Sequence, residues 1–198
     1  ADTINTHIYE YSVGYSPGDT SVIEWCNVGD ELNVYVQNLF LENGTKYFSN
    51  VRAYDLANNI SNVQTSDGIT IDNEVPILGV VFDGLFDELD YTSSSDSLSG
   101  RWSNFTDSLS GLSHYEYAIG SLLDTIEIID WTITSDTFMV GYNLSLFNDS
   151  IYYVSVRSLD SALNVSMIAR SNGLTVDTQR PTSGIVYDGV STDEDWTN

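Results

Sequence analysis

Along this chain hydrophobic and polar positions alternate with period two, in short runs closed by Asp, Asn, Ser and Gly. No stretch carries a sustained apolar stripe at i, i+3, i+4 and i+7. Alternation sends successive side chains to opposite faces of an extended strand, so the pattern predicts strands and no helix. The strands expected are Ile77–Phe82, Leu98–Phe105, Ser113–Ile119, Thr125–Thr132, Thr137–Val140 with Leu144–Leu146 close behind, Tyr152–Leu159, and Val165–Val176 broken near Asn172 and Gly173. Within Tyr152–Leu159, the residues Tyr152, Val154 and Val156 share the parity expected to face a core. Tyr153, Ser155 and Arg157 take the other, while Asp160 and Asn164 bracket the following turn. Seven strands in about 105 residues is the count of a two-sheet sandwich.

The pattern also repeats. YFSNVRAYDLANNIS at Tyr47–Ser61 returns 105 positions later as YYVSVRSLDSALNVS at Tyr152–Ser166, and the match runs without a gap from Tyr47–Ser93 onto Tyr152–Asn198, with 18 identities in 47 pairs. Upstream, IYEYSVG (Ile8–Gly14) matches HYEYAIG (His114–Gly120) and Trp25 matches Trp131, at a spacing of 106. Self-similarity at a fixed period marks an array of like units. Pro76 and Pro181 stand just before a new first strand, and short proline-marked connectors make stiff joints. The expected organisation is a module over 1–74 lacking its first two strands, a complete module over 75–179, and the first strand and acidic loop of a following module over 180–198.

Trp102, Tyr115 and Tyr117, the run LSLFNDSIYYVSVRSLD (Leu144–Asp160) and NVS (Asn164–Ser166) give the unit its character, and LFLENGTKYFSNVRAYD (Leu39–Asp55) repeats it. The unit resembles a fibronectin type III module and the immunoglobulin-like tandem repeats of large bacterial extracellular proteins of surfaces and fibres. In that family a leucine, a short turn and a tyrosine ahead of an alternating strand form a tyrosine corner. The resemblance implies an all-β fold of tandem fibronectin type III-like (Ig-like) β-sandwich modules. It specifies a fold and not an activity. The chain departs from common animal members in lacking their proline at the start of the corner and in its acidic stretch after the first strand, which leaves adhesion to an animal-type receptor without support.

Charge narrows the function. With 29 acidic against 6 basic residues and a net charge of −23, the chain repels nucleic acid and anionic membrane surfaces. A hydrophobic fraction of 41% is enough for a folded core, so the acidity does not signal disorder. Cys26 is the only cysteine; it forms no internal disulfide, and the expectation is a small core filler beside Trp25. No apolar run is long enough to span a membrane. The opening ADTINTH lacks the basic and apolar regions of a signal peptide, so the expectation is a removed leader or an internal piece.

Catalytic patterns are missing. His7 and His114 occupy non-equivalent positions, and no phosphate loop, dinucleotide-binding, zincin or nucleophile-elbow motif occurs. The chain reads as a non-enzyme with no catalytic residues and no organic cofactor. Its acidic stretches DGLFDELD (Asp83–Asp90) and DGVSTDED (Asp188–Asp195) offer Asp83, Asp87, Asp90, Asp188, Asp193 and Asp195 as oxygen ligands for calcium, although without the EF-hand pattern. The competing reading is a solvated charged loop that keeps strand edges from pairing. Asp followed by Ser or Thr and an aliphatic residue occurs more often than composition alone supplies, which marks Thr3, Ser97, Ser108, Thr125, Ser150 and Ser161 as O-glycan candidates in the Bacteroidetes manner. Asn43, Asn59, Asn104, Asn143, Asn148 and Asn164 compete as N-glycan acceptors, and ordinary turn chemistry explains either set.

The function expected is a structural spacer repeat of a large secreted or cell-surface protein, a stalk, fibre or adhesin filament. The alternative is a glycan- or protein-binding accessory module of a secreted enzyme or adhesin. A sugar platform needs coplanar exposed aromatics, whereas Trp25, Trp102 and Trp131 fall at framework positions and Trp196 in an acidic stretch. The partners expected are neighbouring modules of the same protein, completed within a longer chain or head to tail by strand donation.

Overall fold

In the computed structural model, which describes residues 8–121 and 126–187, every regular element is a β-strand. The chain packs as two compact units: the described part of Ala1–Leu78 with Phe105–His114 and Ser158–Met167, and Gly79–Asn104 with the described parts of Tyr115–Arg157 and Ile168–Asn198.

The first unit contains β1 (Ile8–Gly14), β2 (Ile23–Gly29), β3 (Lys46–Tyr54), β4 (Gln64–Thr65) and β5 (Ile69–Thr70). They form one sheet in the order β2-β1-β3-β4, with β5 also on β3. β1 and β3 run antiparallel in unbroken register from Ile8 opposite Tyr54 to Gly14 opposite Phe48.

The later strands are β6 (Val80–Asp83), β7 (Tyr91–Thr92), β8 (Ser97–Ser103), β9 (Leu112–Gly120), β10 (Ile129–Thr134), β11 (Phe138–Tyr142), β12 (Ile151–Asp160), β13 (Ala169–Arg170) and β14 (Leu174–Val176). One sheet runs β10-β9-β12-β14-β7 with β13 on β12, and a second runs β11-β8-β6. The two bury a common core. Trp102 of β8 lies against Tyr115 and Tyr117 of β9, ring centroids 5.8 and 6.1 Å apart, and Tyr152, Val154 and Val156 of β12 are buried as their parity requires. Gly100 on β8 lets the sheets approach closely, because a Cβ there would stand 3.0 Å from Val154. Each fully buried Val is worth about 1.5–3 kcal/mol against leaving it in water. The fold is an all-β, fibronectin type III-like sandwich.

The tyrosine corner is present in both halves. Phe147 N–H donates to the Tyr152 hydroxyl at 2.9 Å, and Glu42 N–H to that of Tyr47, also at 2.9 Å. Some strand expectations need adjusting. Leu144–Leu146 is irregular chain, whose Leu144 and Leu146 amides bond to Asp96 and Ser95 carbonyls. Val165–Val176 is two short strands with a bridge at Val165. β7, which pairs parallel to β14, follows directly on the acidic stretch Asp83–Asp90 and is not among the expected strands. Thr125 lies outside the described residues. Cys26 is exposed, not core: β2 is an edge strand, and its sequence counterpart Thr132 is exposed too. Trp25 and Trp131 are half-buried beneath the guanidinium groups of Arg52 and Arg157, at 4.1 and 4.4 Å.

Candidate functional site

Three carboxylates converge in the first unit. Asp72 follows β5, Asp107 lies in the loop after β8 and Asp160 closes β12, and one carboxylate oxygen of each lies within 4.8 Å of the others. Each is held by its own turn, because Asp side chains bond to backbone amides a few residues ahead. Asp107 Oδ1 accepts from the amides of Leu109 (3.1 Å) and Gly111 (2.7 Å). Asp160 is fully buried and is met by neutral donors, the Asn164 amide on Oδ1 and the Asn164 Nδ2 on Oδ2, both at 2.8 Å. Asn164 Nδ2 also reaches the Asp72 carbonyl at 3.1 Å. Asp72 Oδ2 accepts the Ser110 amide at 3.0 Å. The enclosed Ser110 hydroxyl lies against the same carboxylate and, with the Glu74 and Ser110 amides, holds it below the usual range, although it makes no bond of full hydrogen-bond geometry there. Carboxylates gathered in this way suit a hard divalent cation, since calcium takes oxygen ligands at about 2.3–2.6 Å.

Of the expected metal ligands, Asp83, Asp87 and Asp90 are not brought together in this way. Asp83 is fully buried; its Oδ2 accepts the Gly173 amide at 3.0 Å, and its Oδ1 has no hydrogen-bond partner among the described residues. Burial raises its pKa to about 6, against the opposing hydrogen bonds from Ser171 and Gly173, and the nearby Glu88 and Asp90 charges add to the rise. Asp87 and Asp90 are exposed. The stretch between is a folded turn: Leu89 N–H donates to the Asp83 carbonyl, and Arg101, stacked on Phe82, donates to the carbonyls of Gly84 and Asp87 at 3.1 and 3.2 Å. Gly84 has φ +90°, and a Cβ there would meet the Asp87 carbonyl at 2.7 Å. Asp188, Asp193 and Asp195 lie outside the described residues.

Among the glycan candidates, Ser108, Ser161, Asn43, Asn59, Asn104 and Asn143 are exposed, and Ser97, Ser150, Asn148 and Asn164 half-buried. Asn59 and Asn164 spend Nδ2, the nitrogen an N-glycan would take, on Asp55 and Asp160. Thr3, Thr125 and His7 lie outside the described residues. His114 bonds to its neighbour Ser113. The carboxylate cluster was not anticipated, although a signal existed: Asp55 and Asn59 repeat the Asp160–Asn164 turn, bond for bond, in the earlier half, and Asp177 repeats Asp72, accepting the Gln179 amide as Asp72 Oδ1 accepts that of Glu74.

No protein-family model matches this sequence, and no curated protein matches it. Among solved structures, the chain is similar to a crystal structure of domains from titin, with TM-score 0.47 and 16% identity over 85% of this chain and 54% of that one. It is also similar to the FN1-FN3 domains of chicken CNTN1, with TM-score 0.45 and 19% identity over 84% of this chain and 56% of that one. The chain thus spans about half the length of each of these structures.

Proposed function

We propose that this chain is a structural spacer of a tandem array in a secreted or cell-surface protein, carrying load and reach rather than catalysis. The observation that carries the reading is the repetition of framework in place of chemistry. Both halves spend their distinctive side chains on the same structural devices: the tyrosine corner at Tyr47 and Tyr152, and an arginine stacked on tryptophan and paired with glutamate at Arg52–Glu10 and Arg157–Glu116. No helix among the described residues is long and apolar enough to cross a membrane.

Within this reading a calcium ion would be held by Asp72, Asp107 and Asp160, one carboxylate oxygen of each lying within 4.8 Å of the others. Bound cation would hold the three turns together and raise stability by mass action. Thermal unfolding in millimolar calcium against chelator tests it: the melting temperature is expected to rise with calcium, and Asp160→Asn to abolish the rise. Indifference of the unmodified chain to both conditions ends the calcium assignment.

A further inference from the structure

The sheet of the first unit presents one face that its counterpart in the second half keeps covered. Val51 is 42% exposed where its counterpart Val156 is 0%, and Ile69 is 67% exposed where Leu174 is 3%. Ser49 is exposed opposite buried Val154, and Ser66 opposite buried Ser171. In the second half the sheet β11-β8-β6 supplies the cover. Its Trp102 lies on Tyr115 and Tyr117, counterparts of Tyr9 and Tyr11, and its Asp83 carboxylate accepts the Gly173 amide beside the Ser171 hydroxyl, counterparts of Gly68 and Ser66. The framework for receiving such a layer is already built in the first unit: the Ser49 amide donates to the Ser66 hydroxyl at 3.0 Å, as Val154 does to Ser171. The stretch matching β11, around Leu32–Val36, is not a strand, and Leu32, Val34 and Tyr35 are exposed. A lone β11-type strand has no ladder to join without β8.

We propose that this face is a docking surface for a β6–β8-type strand pair from a further repeat of the same polypeptide. The incoming pair seats an aspartate carboxylate against Ser66 and the Gly68 amide, lays a tryptophan on Tyr9 and Tyr11, and draws Leu32–Val36 into a strand. This rests on the tandem-array reading, and it deepens that reading by naming what each repeat recognises: a strand ending in Asp-Gly, followed by one carrying Trp. The apolar exposure at Val51 and Ile69 answers the apolar residues that the pair would bury. Shape and carboxylate placement therefore select it.

The test is a fusion in which a second copy of residues 75–106 is joined directly ahead of Ala1, compared with the unfused chain by amide exchange and sedimentation. Docking predicts a monomer in which exchange of the β1 and β3 amides slows at least tenfold and the Leu32–Val36 amides become protected. Asp83→Asn or Trp102→Ala in the added copy alone is expected to abolish most of that protection. A peptide of residues 76–105 added to the unfused chain gives a second reading, with saturable protection of the same amides. Unchanged exchange in both the fusion and the peptide titration overturns the proposal, and so does equal protection by the substituted copies. Protection of this face in an unfused chain that sediments as a dimer would assign it to a second copy and contradict the source proposed. None of these outcomes touches the spacer reading, whose own test is made on the second half.

Discussion

At the scale of residues, Asp83 is the group most at odds with its surroundings. Its folded pKa of about 6 stands above the ordinary 3.8 because burial penalises the charged form. The folded state therefore binds this proton more tightly than the unfolded chain does. Stability is expected to be greatest below about pH 4, to fall as pH rises toward 6, and to level off above it, by an amount on the order of 2–3 kcal/mol from this group alone. The hydrogen-bonded carboxylates Asp19, Asp55 and Asp72, held below the usual range, contribute with the opposite sign, so the measurement is a difference. Urea midpoints of the native chain and Asp83→Asn between pH 4 and 7 should diverge, with the variant showing the shallower slope; parallel slopes would place the titration elsewhere. Tyr152→Phe removes the acceptor of the Phe147 amide, which should cost about 1–3 kcal/mol and lower the melting temperature by several degrees. Such residues differ in how plainly the sequence announced them. Tyr152 stood ahead of an alternating run and was legible as a corner; the burial of Asp83 depends on Gly173, ninety positions away, and no local pattern encodes it.

At the scale of elements, the long strands were legible because their alternation is imposed by burial on one face, as in β8 and most of β12. The short ones were not. β7 is two residues just after an acidic stretch and exists because the Thr175 amide and the Asp177 amide bond to the Asp90 and Thr92 carbonyls, a non-local condition. Leu144–Leu146 misled in the opposite direction, since its alternation reflects a buried Leu146 anchoring an irregular segment. The arginine stacked on tryptophan ties β12 to its neighbours, Arg157 Nε meeting Glu116 at 2.6 Å with the ring of Trp131 beneath. Because a planar guanidinium can stack and pair at once where an ammonium cannot, Arg157→Lys should recover little of the loss caused by Arg157→Ala. That loss is expected at about 1 kcal/mol for a partly exposed site. Denaturant midpoints of the two variants check this, and full recovery by lysine would reduce the contact to charge alone.

At the scale of the whole molecule, sequence self-similarity and residue parity together made the sandwich legible. The Asp72–Asp107–Asp160 cluster was not, because its members come from three separated turns and each one alone reads as ordinary Asx chemistry. A chain that serves as the spacer proposed above must have a complete repeat that resists extension as one cooperative body. Pulling single molecules from their two ends in an atomic force microscope tests that most directly. The account predicts a discrete unfolding event for the second half, with a contour gain of roughly 350 Å less the folded span, at about 3.4 Å for each residue from Val75 to Thr178. Smooth extension without a discrete event of that length, under conditions where the chain is folded by circular dichroism, would contradict it.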